Sequence, residues 1–333
     1  MDSCELKRVS VAQTHWRGQL KAAFTTPQAL LDHLGLDDEG AWASSPFPMR
    51  VPRAFVDRMR PNDWGDPLLQ QVLPTRSENN NTPGFATDPV GDQAAKVARG
   101  LLHKYQGRAL LISTGACAVH CRYCFRQHFP YSSEHASGAF SQDAIDHIAK
   151  TPSIEEVIMS GGDPLMLDTD RLKALTDQLA TISHIKRLRI HTRLPIVLPD
   201  RVTPSLMAWL SKLPWPVVMV VHANHAQEFD CSVDDALAKI ETTGTRVFNQ
   251  AVLLRGVNDS AEALVELMER SFAAGALPYY LHRLDRVDGA AHFDVSAADG
   301  LALMEALRCR LAGYLVPKFV EEVAGRPYKV PIL

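Results

Sequence analysis

The stretch "ALLISTGACAVHCRYCFRQHF", residues 109–129, decides how the rest of the chain is read. Its first five residues form a short apolar run of the kind that makes a buried strand. That strand leads into Cys117, Cys121 and Cys124, three of the six cysteines of the chain in the spacing C-x3-C-x2-C. Three thiols so close together are compatible with a zinc site, an iron–sulfur cluster or a set of inert thiols. Structural zinc takes four closed ligands, usually as two C-x2-C pairs, and the sequence has no second pair. His120 or His128 could still complete such a site, so zinc stays open on this stretch alone. A [4Fe–4S] cluster held by three thiolates leaves one iron free for a small molecule, which would account for the missing fourth ligand. Cys4, Cys231 and Cys309 are scattered and read as ordinary thiols.

Moving outward, five further apolar runs look like buried strands: "EEVIMS" (155–160), "IKRLRI" (185–190), "PVVMVV" (216–221), "TRVFNQAVLL" (245–254) and "LPYYLH" (277–282). Helical patterns cover 141–150, 168–182, 203–212, 232–242, 260–274 and 296–311. Strand alternating with helix implies parallel strands joined by right-handed crossovers, either an open doubly wound sheet or a partial barrel. In both, working groups gather at the carboxyl ends of the strands. The sequence puts polar groups there: the cysteines after the first strand, then "SGGDP" (160–164), "HTR" (191–193), "HANH" (222–225) and "HRLD" (282–285). Loops are polar in general, but five strand ends of this kind favour a site.

The turn-rich segment "SENNNTPGFATDPVGD" (77–92) marks a change of pattern. Before it come short amphipathic pieces such as "TPQALLDHLGL" (26–36), where a Thr cap precedes a periodic Leu pattern. Residues 1–95 therefore read as a mostly helical N-terminal region and 96–333 as the core. The 333 residues are 46% apolar and 22% charged with a formal net charge of −3, an ordinary globular composition. So mild an acidity makes no electrostatic case for nucleic acid or a membrane surface. No run approaches the ~18 apolar residues of a spanning helix, and the first residues lack the apolar core of a signal peptide. A cytoplasmic, reducing location is expected, where a tight cysteine group means metal or catalytic chemistry before disulfides.

The segment "GYLVPKFVEEVAGRPYKVPIL" (313–333) carries Lys329 between Pro327, Tyr328 and Pro331. Proline rigidity around one lysine suits a fixed amine, as a Schiff base with pyridoxal phosphate (PLP) requires, although a solvated basic tail is the commoner fate of such a segment.

C-x3-C-x2-C with Tyr123 before the last cysteine resembles the radical S-adenosylmethionine (SAM) superfamily, and "SGGDP" resembles its glycine motif, whose backbone receives the amino group of SAM. The core from about residue 84 onward resembles lysine 2,3-aminomutases, in "GFATDPVGD" (84–92), "CRYCFRQHF" (121–129), "SGGDPL" (160–165), "RLPIVLPDRVT" (193–203), "NQAVLLRGVND" (249–259), "PYYLHRLD" (278–285) and "GYLVPKFV" (313–320). "DPLLQQVLP" (66–74) and the short distance beyond Lys329 resemble the bacterial branch that supplies β-lysine for modification of elongation factor P.

The resemblance implies a partial (β/α)6 TIM-like barrel of the radical SAM type and an aminomutase activity with three cofactors: a [4Fe–4S] cluster on Cys117, Cys121 and Cys124, SAM and PLP. It places the PLP Schiff base on Lys329 and the PLP phosphate on Lys104, Tyr105 and Arg108. Gly161, Gly162, Asp163, His191, Arg193, His222 and Gln250 are expected to line SAM or PLP. By composition His222, Asn224 and His225 could also ligate a metal, but with two cofactors to line they read as polar contacts to SAM or PLP, and no second metal is assigned. Arg126 is expected to grip the substrate carboxylate, and Asp285 and Glu322 the distal ammonium of lysine. The family usually has Asp at the position of Glu322, and its glycine run before the PLP lysine is reduced here to Gly325. Expected partners are lysine, an electron donor, and elongation factor P with its lysyl-transferring enzyme. The alternatives are an aminomutase for another amino acid and a non-catalytic metal-binding module.

Overall fold

The computed structural model describes residues 15–37, 42, 45, 47–131 and 142–333. Strands β1 (Lys96–Ala98), β2 (Leu101–Tyr105), β3 (Arg108–Thr114), β4 (Glu156–Gly161), β5 (Arg187–Thr192), β6 (Val217–Val221), β7 (Arg246–Val252), β8 (Leu277–His282), β9 (Lys318–Glu321) and β10 (Val330–Pro331) lie side by side in sequence order in one sheet. From β3 to β9 every neighbouring pair is parallel. The hairpin β1–β2 and the last strand β10 are antiparallel additions at the two edges. The six expected strands are β3 to β8; β9 is a seventh parallel strand.

Short amphipathic helices precede the sheet: α1 (Trp16–Lys21), α2 (Pro27–Leu34), α3 (Arg53–Val56) and α4 (Pro67–Gln70). Crossover helices follow the strands: α5 (Gln142–Lys150), α6 (Thr169–Leu179), the short α7 (Leu194–Val197) with α8 (Pro204–Leu210), α9 (Cys231–Glu241), α10 (Ala261–Ala273) and α11 (Ala297–Arg310). Their starts are set by side chains that accept the first free N–H groups: Thr26, Thr203, Asp230, Ser260 and Ser296 cap α2, α8, α9, α10 and α11.

The strands alternate between two faces. In β7, Val247, Asn249 and Ala251 are buried while Gln250 and Val252 face the cavity described below. In register, Leu111, Met159, Ile190, Met219 and Val247 form one buried row across five strands. The same hydrophobic cluster takes in Trp16, Leu30, Phe55 and Leu68 of the N-terminal region, so those helices close one end of the core. β1 and β10 do not pair with each other, and the barrel is open at a seam between the first hairpin and the last strands. Among the described residues no helix is long and apolar enough to cross a membrane.

Two further thiols are placed. Cys309 is free and exposed, as expected. Cys231 is disulfide-bonded, which corrects its reading as an ordinary thiol; spacing along a sequence does not reveal which scattered sulfurs fold to bonding distance. Cys4 lies outside the described residues.

Candidate active site

The carboxyl ends of β3 to β8, together with β2 and the segment after β9, surround one cavity. The three cysteines, Lys329, Arg126, Asp285, Glu322, the residues expected at the phosphate and those expected to line SAM or PLP all lie in its wall. Asn224 and His225 do not. Asn224 is buried and spends its polar atoms on Gln71, Tyr123, Glu228 and Val252, while His225 caps the turn that follows it. Their expected contact with a cofactor is therefore replaced by a structural role.

The cysteine loop is held from two sides. Gly161 adopts φ +117°, and a Cβ there would stand 2.7 Å from the Thr114 carbonyl oxygen; at Gly162 it would stand 2.4 Å from that of Ala116. Gly162 N–H donates to Thr114 O (2.7 Å) and Asp163 N–H to Ala116 O (2.9 Å). The glycine pair thus lets β4 press directly against the backbone entering the cysteines. Asp163 accepts from the Thr192 hydroxyl and from the N–H groups of Leu165, Arg193 and Leu194, which ties the ends of β4 and β5 together. On the other side Arg122, fully buried, binds Glu78 and the Phe47 and Pro48 carbonyls, and Arg50 donates to Cys117 O at 3.2 Å.

Burial pushes the Cys117 thiol up, reinforced by Cys124, and pushes Cys124 up to about 12, reinforced by Cys121. As free thiols they would stay protonated at neutral pH; a metal would have to displace the protons. No three His, Cys, Asp or Glu side chains among the described residues converge as ligands of a single ion do. His120 and His128 each direct one ring nitrogen to a backbone carbonyl, of Pro48 (3.0 Å) and Asp288 (3.1 Å). The donor set suits a multi-iron cluster, whose thiolates sit on separate irons, better than zinc.

The same cavity carries a set of charged groups. β10 pairs Val330 with Glu321, and this short hairpin sets Lys329 beside Glu322. Lys329 Nζ donates to Glu322 Oε2 at 2.8 Å, and the Tyr105 hydroxyl donates to Glu322 Oε1 at 2.6 Å. Burial alone would push the Glu322 carboxyl up, but Lys329 and then Tyr105 outweigh it and hold it below the usual carboxylate range. These contacts bridge the barrel seam. Lys104 lies 2.7 Å from Asp92 and 3.6 Å from Glu322. The Arg108 guanidinium lies over the Tyr105 ring, 4.1 Å from its centroid, with no side-chain hydrogen bond among the described residues. Of the three groups expected at a phosphate, Arg108 is the one left uncommitted.

Arg126 is fixed by Asp92, Nε to Oδ2 at 2.7 Å, with Ser160 at 3.3 Å from Nη1. The Asp285 carboxylate has no hydrogen-bonded partner among the described residues; burial pushes it up to about 7, partly opposed by Lys329 and assisted by Glu322. His191 and His222 touch through ring nitrogens (3.3 Å), and burial keeps both neutral, His222 pushed down to about 3. Gln250 Oε1 and His282 Nε2 are buried without partners among the described residues and lie in the cavity wall. Sequence reasoning assigned nothing to Asp92, Gln71, Glu228 or His282. Asp92 sits inside the quoted stretch 84–92 and His282 inside 278–285, so the motifs held them without showing their roles.

The description "Radical SAM superfamily" fits the chain over residues 111–268: fold and cysteine loop are those of a radical SAM enzyme. L-lysine 2,3-aminomutase of Escherichia coli (strain K12) is 47% identical, over 95% of this chain and 94% of that protein. The L-lysine 2,3-aminomutase of Haemophilus influenzae is 42% identical over 95% of each, and that of Clostridium subterminale 33% identical over 96% of this chain and 77% of its own. The chain belongs to the L-lysine 2,3-aminomutase family and is an isomerase. Membership implies a [4Fe–4S] cluster, SAM and PLP. The residues present fit these groups: three thiols that no fourth ligand joins among the described residues, an uncommitted Arg108, a lysine amine in the same cavity, and orphaned polar atoms on Gln250 and His282.

Proposed function

We propose that this chain moves the α-amino group of L-lysine to the neighbouring carbon, giving β-lysine, and that the product serves the modification of elongation factor P. When bound, the cluster with SAM supplies the organic radical, and PLP supplies the conjugated ring that stabilises the migrating nitrogen. The protein supplies binding, orientation and exclusion of water.

In this reading Cys117, Cys121 and Cys124 hold the cluster. Gly161, Gly162, Asp163, His191, Arg193, His222 and Gln250 shape the wall around SAM and PLP. Lys329 anchors PLP through its amine and gives way to the substrate amine. Arg108 grips the PLP phosphate; Lys104 and Tyr105 add charge and a hydroxyl from the same wall. Arg126, oriented by Asp92, pairs with the substrate carboxylate in the two-point manner suited to guanidinium. Asp285 and Glu322 take the distal ammonium, with Glu322 exchanging Lys329 Nζ for the substrate's cation.

The observation that carries the reading is the company kept in one cavity: three cysteine sulfurs, a lysine paired with Glu322, and an Asp285 carboxylate without a hydrogen-bond partner among the described residues. Two carboxylates at that position favour a cationic side chain over an anionic one. Anaerobically reconstituted protein given lysine, SAM, PLP and a reductant should form β-lysine, and borohydride trapping should leave a reduced PLP adduct on Lys329. Turnover of glutamate with lysine untouched would replace the substrate assignment. The elongation factor P role is supported by the likeness of 66–74 to that branch and implies a lysyl-transferring enzyme as partner; the cluster in its turn implies an electron donor.

A further inference from the structure

Arg193 stands out from the rest of the cavity wall because its guanidinium reaches a cysteine. Its Nη1 donates to Cys121 Sγ at 2.8 Å, while Nη2 donates to Gln71 Oε1 (2.7 Å) and Glu228 Oε2 (2.8 Å). Among the described residues no guanidinium donates to the sulfur of Cys117 or Cys124; Arg50 reaches Cys117 only at its carbonyl oxygen. The side chain lies between the Phe55 and Tyr123 rings, 5.3 and 5.8 Å from their centroids, and only 6% of the residue is exposed.

The supports of Arg193 are themselves fixed. Glu228 and Gln71 are fully buried. Glu228 Oε1 accepts from the backbone N–H of Asn224 (2.8 Å) and from the Gln71 amide (3.1 Å), and the Gln71 oxygen also accepts from Asn224 Nδ2 (3.0 Å). A buried cation needs a buried anion, and Glu228 meets that need without drawing Arg193 off the sulfur. The result is one charged N–H aimed at one sulfur, on a side chain that follows β5 and is braced by residues from the N-terminal region and from the segment after β6.

We propose that Arg193 is a positioning residue that sets the reduction potential of the cluster through Cys121, and that Glu228 and Gln71 exist to hold it there. A charge-assisted donor binds a sulfur more strongly as the sulfur gains negative charge, so it favours the reduced cluster and raises its potential. Such partners of the ligands tune a metal centre as much as the ligands do. This inference rests on the cluster reading above and goes beyond it, since Arg193 acts on a ligand sulfur where a SAM or PLP contact was expected.

The test uses the anaerobically reconstituted holoenzyme. Iron and sulfide content are measured first, then the midpoint potential by spectroscopically monitored titration. Arg193→Gln should keep its iron and sulfide, and its potential should fall by about a tenfold change in the reduction equilibrium, roughly 59 mV for one electron. Arg193→Lys, which keeps the charge, should recover part of that shift. A full cluster with an unchanged potential in Arg193→Gln overturns the inference and leaves the aminomutase reading standing; wild-type protein without iron and sulfide overturns the cluster reading itself. If Arg193→Gln fails to fold, unmutated protein carrying [guanidino-15N]arginine decides. Pulsed electron paramagnetic resonance of its reduced cluster should show a 15N coupling, and its absence overturns the inference.

Discussion

Asp92→Asn is the sharpest probe of the substrate wall, because one carboxylate there serves two cations. Asp92 accepts Arg126 Nε at 2.7 Å and faces Lys104 Nζ at 2.7 Å, with the Asp92, Arg126 and Lys104 side chains 2%, 8% and 19% exposed. Removing one member of a buried ion pair costs about 3–5 kcal/mol, because the remaining charge is left uncompensated. Asparagine keeps an acceptor for Arg126, so the lower end applies, about 3 kcal/mol. For a chain of this size that lowers Tm by roughly 4 °C. Arg126 also loses its orientation toward the substrate carboxylate, and kcat/KM for lysine should fall at least about tenfold, the equivalent of ~1.4 kcal/mol. The pH dependence is fixed in sign. Burial raises the Asp92 carboxyl, but Arg126 and then Lys104 outweigh it and hold it below its ordinary 3.8. Its contribution is therefore complete above that value and is lost as pH falls through the lowered one. The difference between wild type and variant should stay constant from pH 7 to 5 and shrink only below about 4. The assays are differential scanning calorimetry across that range and initial rates of β-lysine formation. A Tm within 1 °C of wild type with an unchanged kcat/KM would refute the bridging role of Asp92.

Two other outcomes follow from the same geometry. Asp285, pushed up to about 7 by burial, must be ionised to take the lysine ammonium, so kcat/KM should fall as pH drops through about 7; Asp285→Asn should lose that limb along with most activity. Gly162→Ala should cost the protein its iron, since the new Cβ meets the Ala116 carbonyl at 2.4 Å with only backbone to move, whereas Gly107→Ala, with nothing within 4 Å, should leave iron content and rate unchanged.

The six central strands and their helices were legible because each strand is a short apolar run closed by polar groups, and four of the crossover helices, α5, α6, α9 and α10, are clearly amphipathic. The cysteine loop was legible for the same reason, since its ligands lie within eight positions. The β9–β10 hairpin was not: two residues of strand carry no periodicity. The partners of the site residues were equally hidden. Asp92 meets Arg126 across 34 positions, and Gln71 meets Arg193 across 122 and Glu228 across 157, distances over which a single sequence offers no pattern. Asn224 and His225 misled because a polar strand end reads alike whether it faces a ligand or braces a neighbour.

The Tyr105–Glu322 contact across the barrel seam joins residues 217 positions apart. Closing so long a loop comes late in folding, after local strand–helix units have formed. The cysteine loop and its glycine brace can assemble from residues 109–163, but the amine wall has no existence until 318–331 have docked against β8. A chain still emerging from the ribosome would therefore form its cysteine loop before its Lys329 segment, and the two halves of the cavity take their order of assembly from the topology.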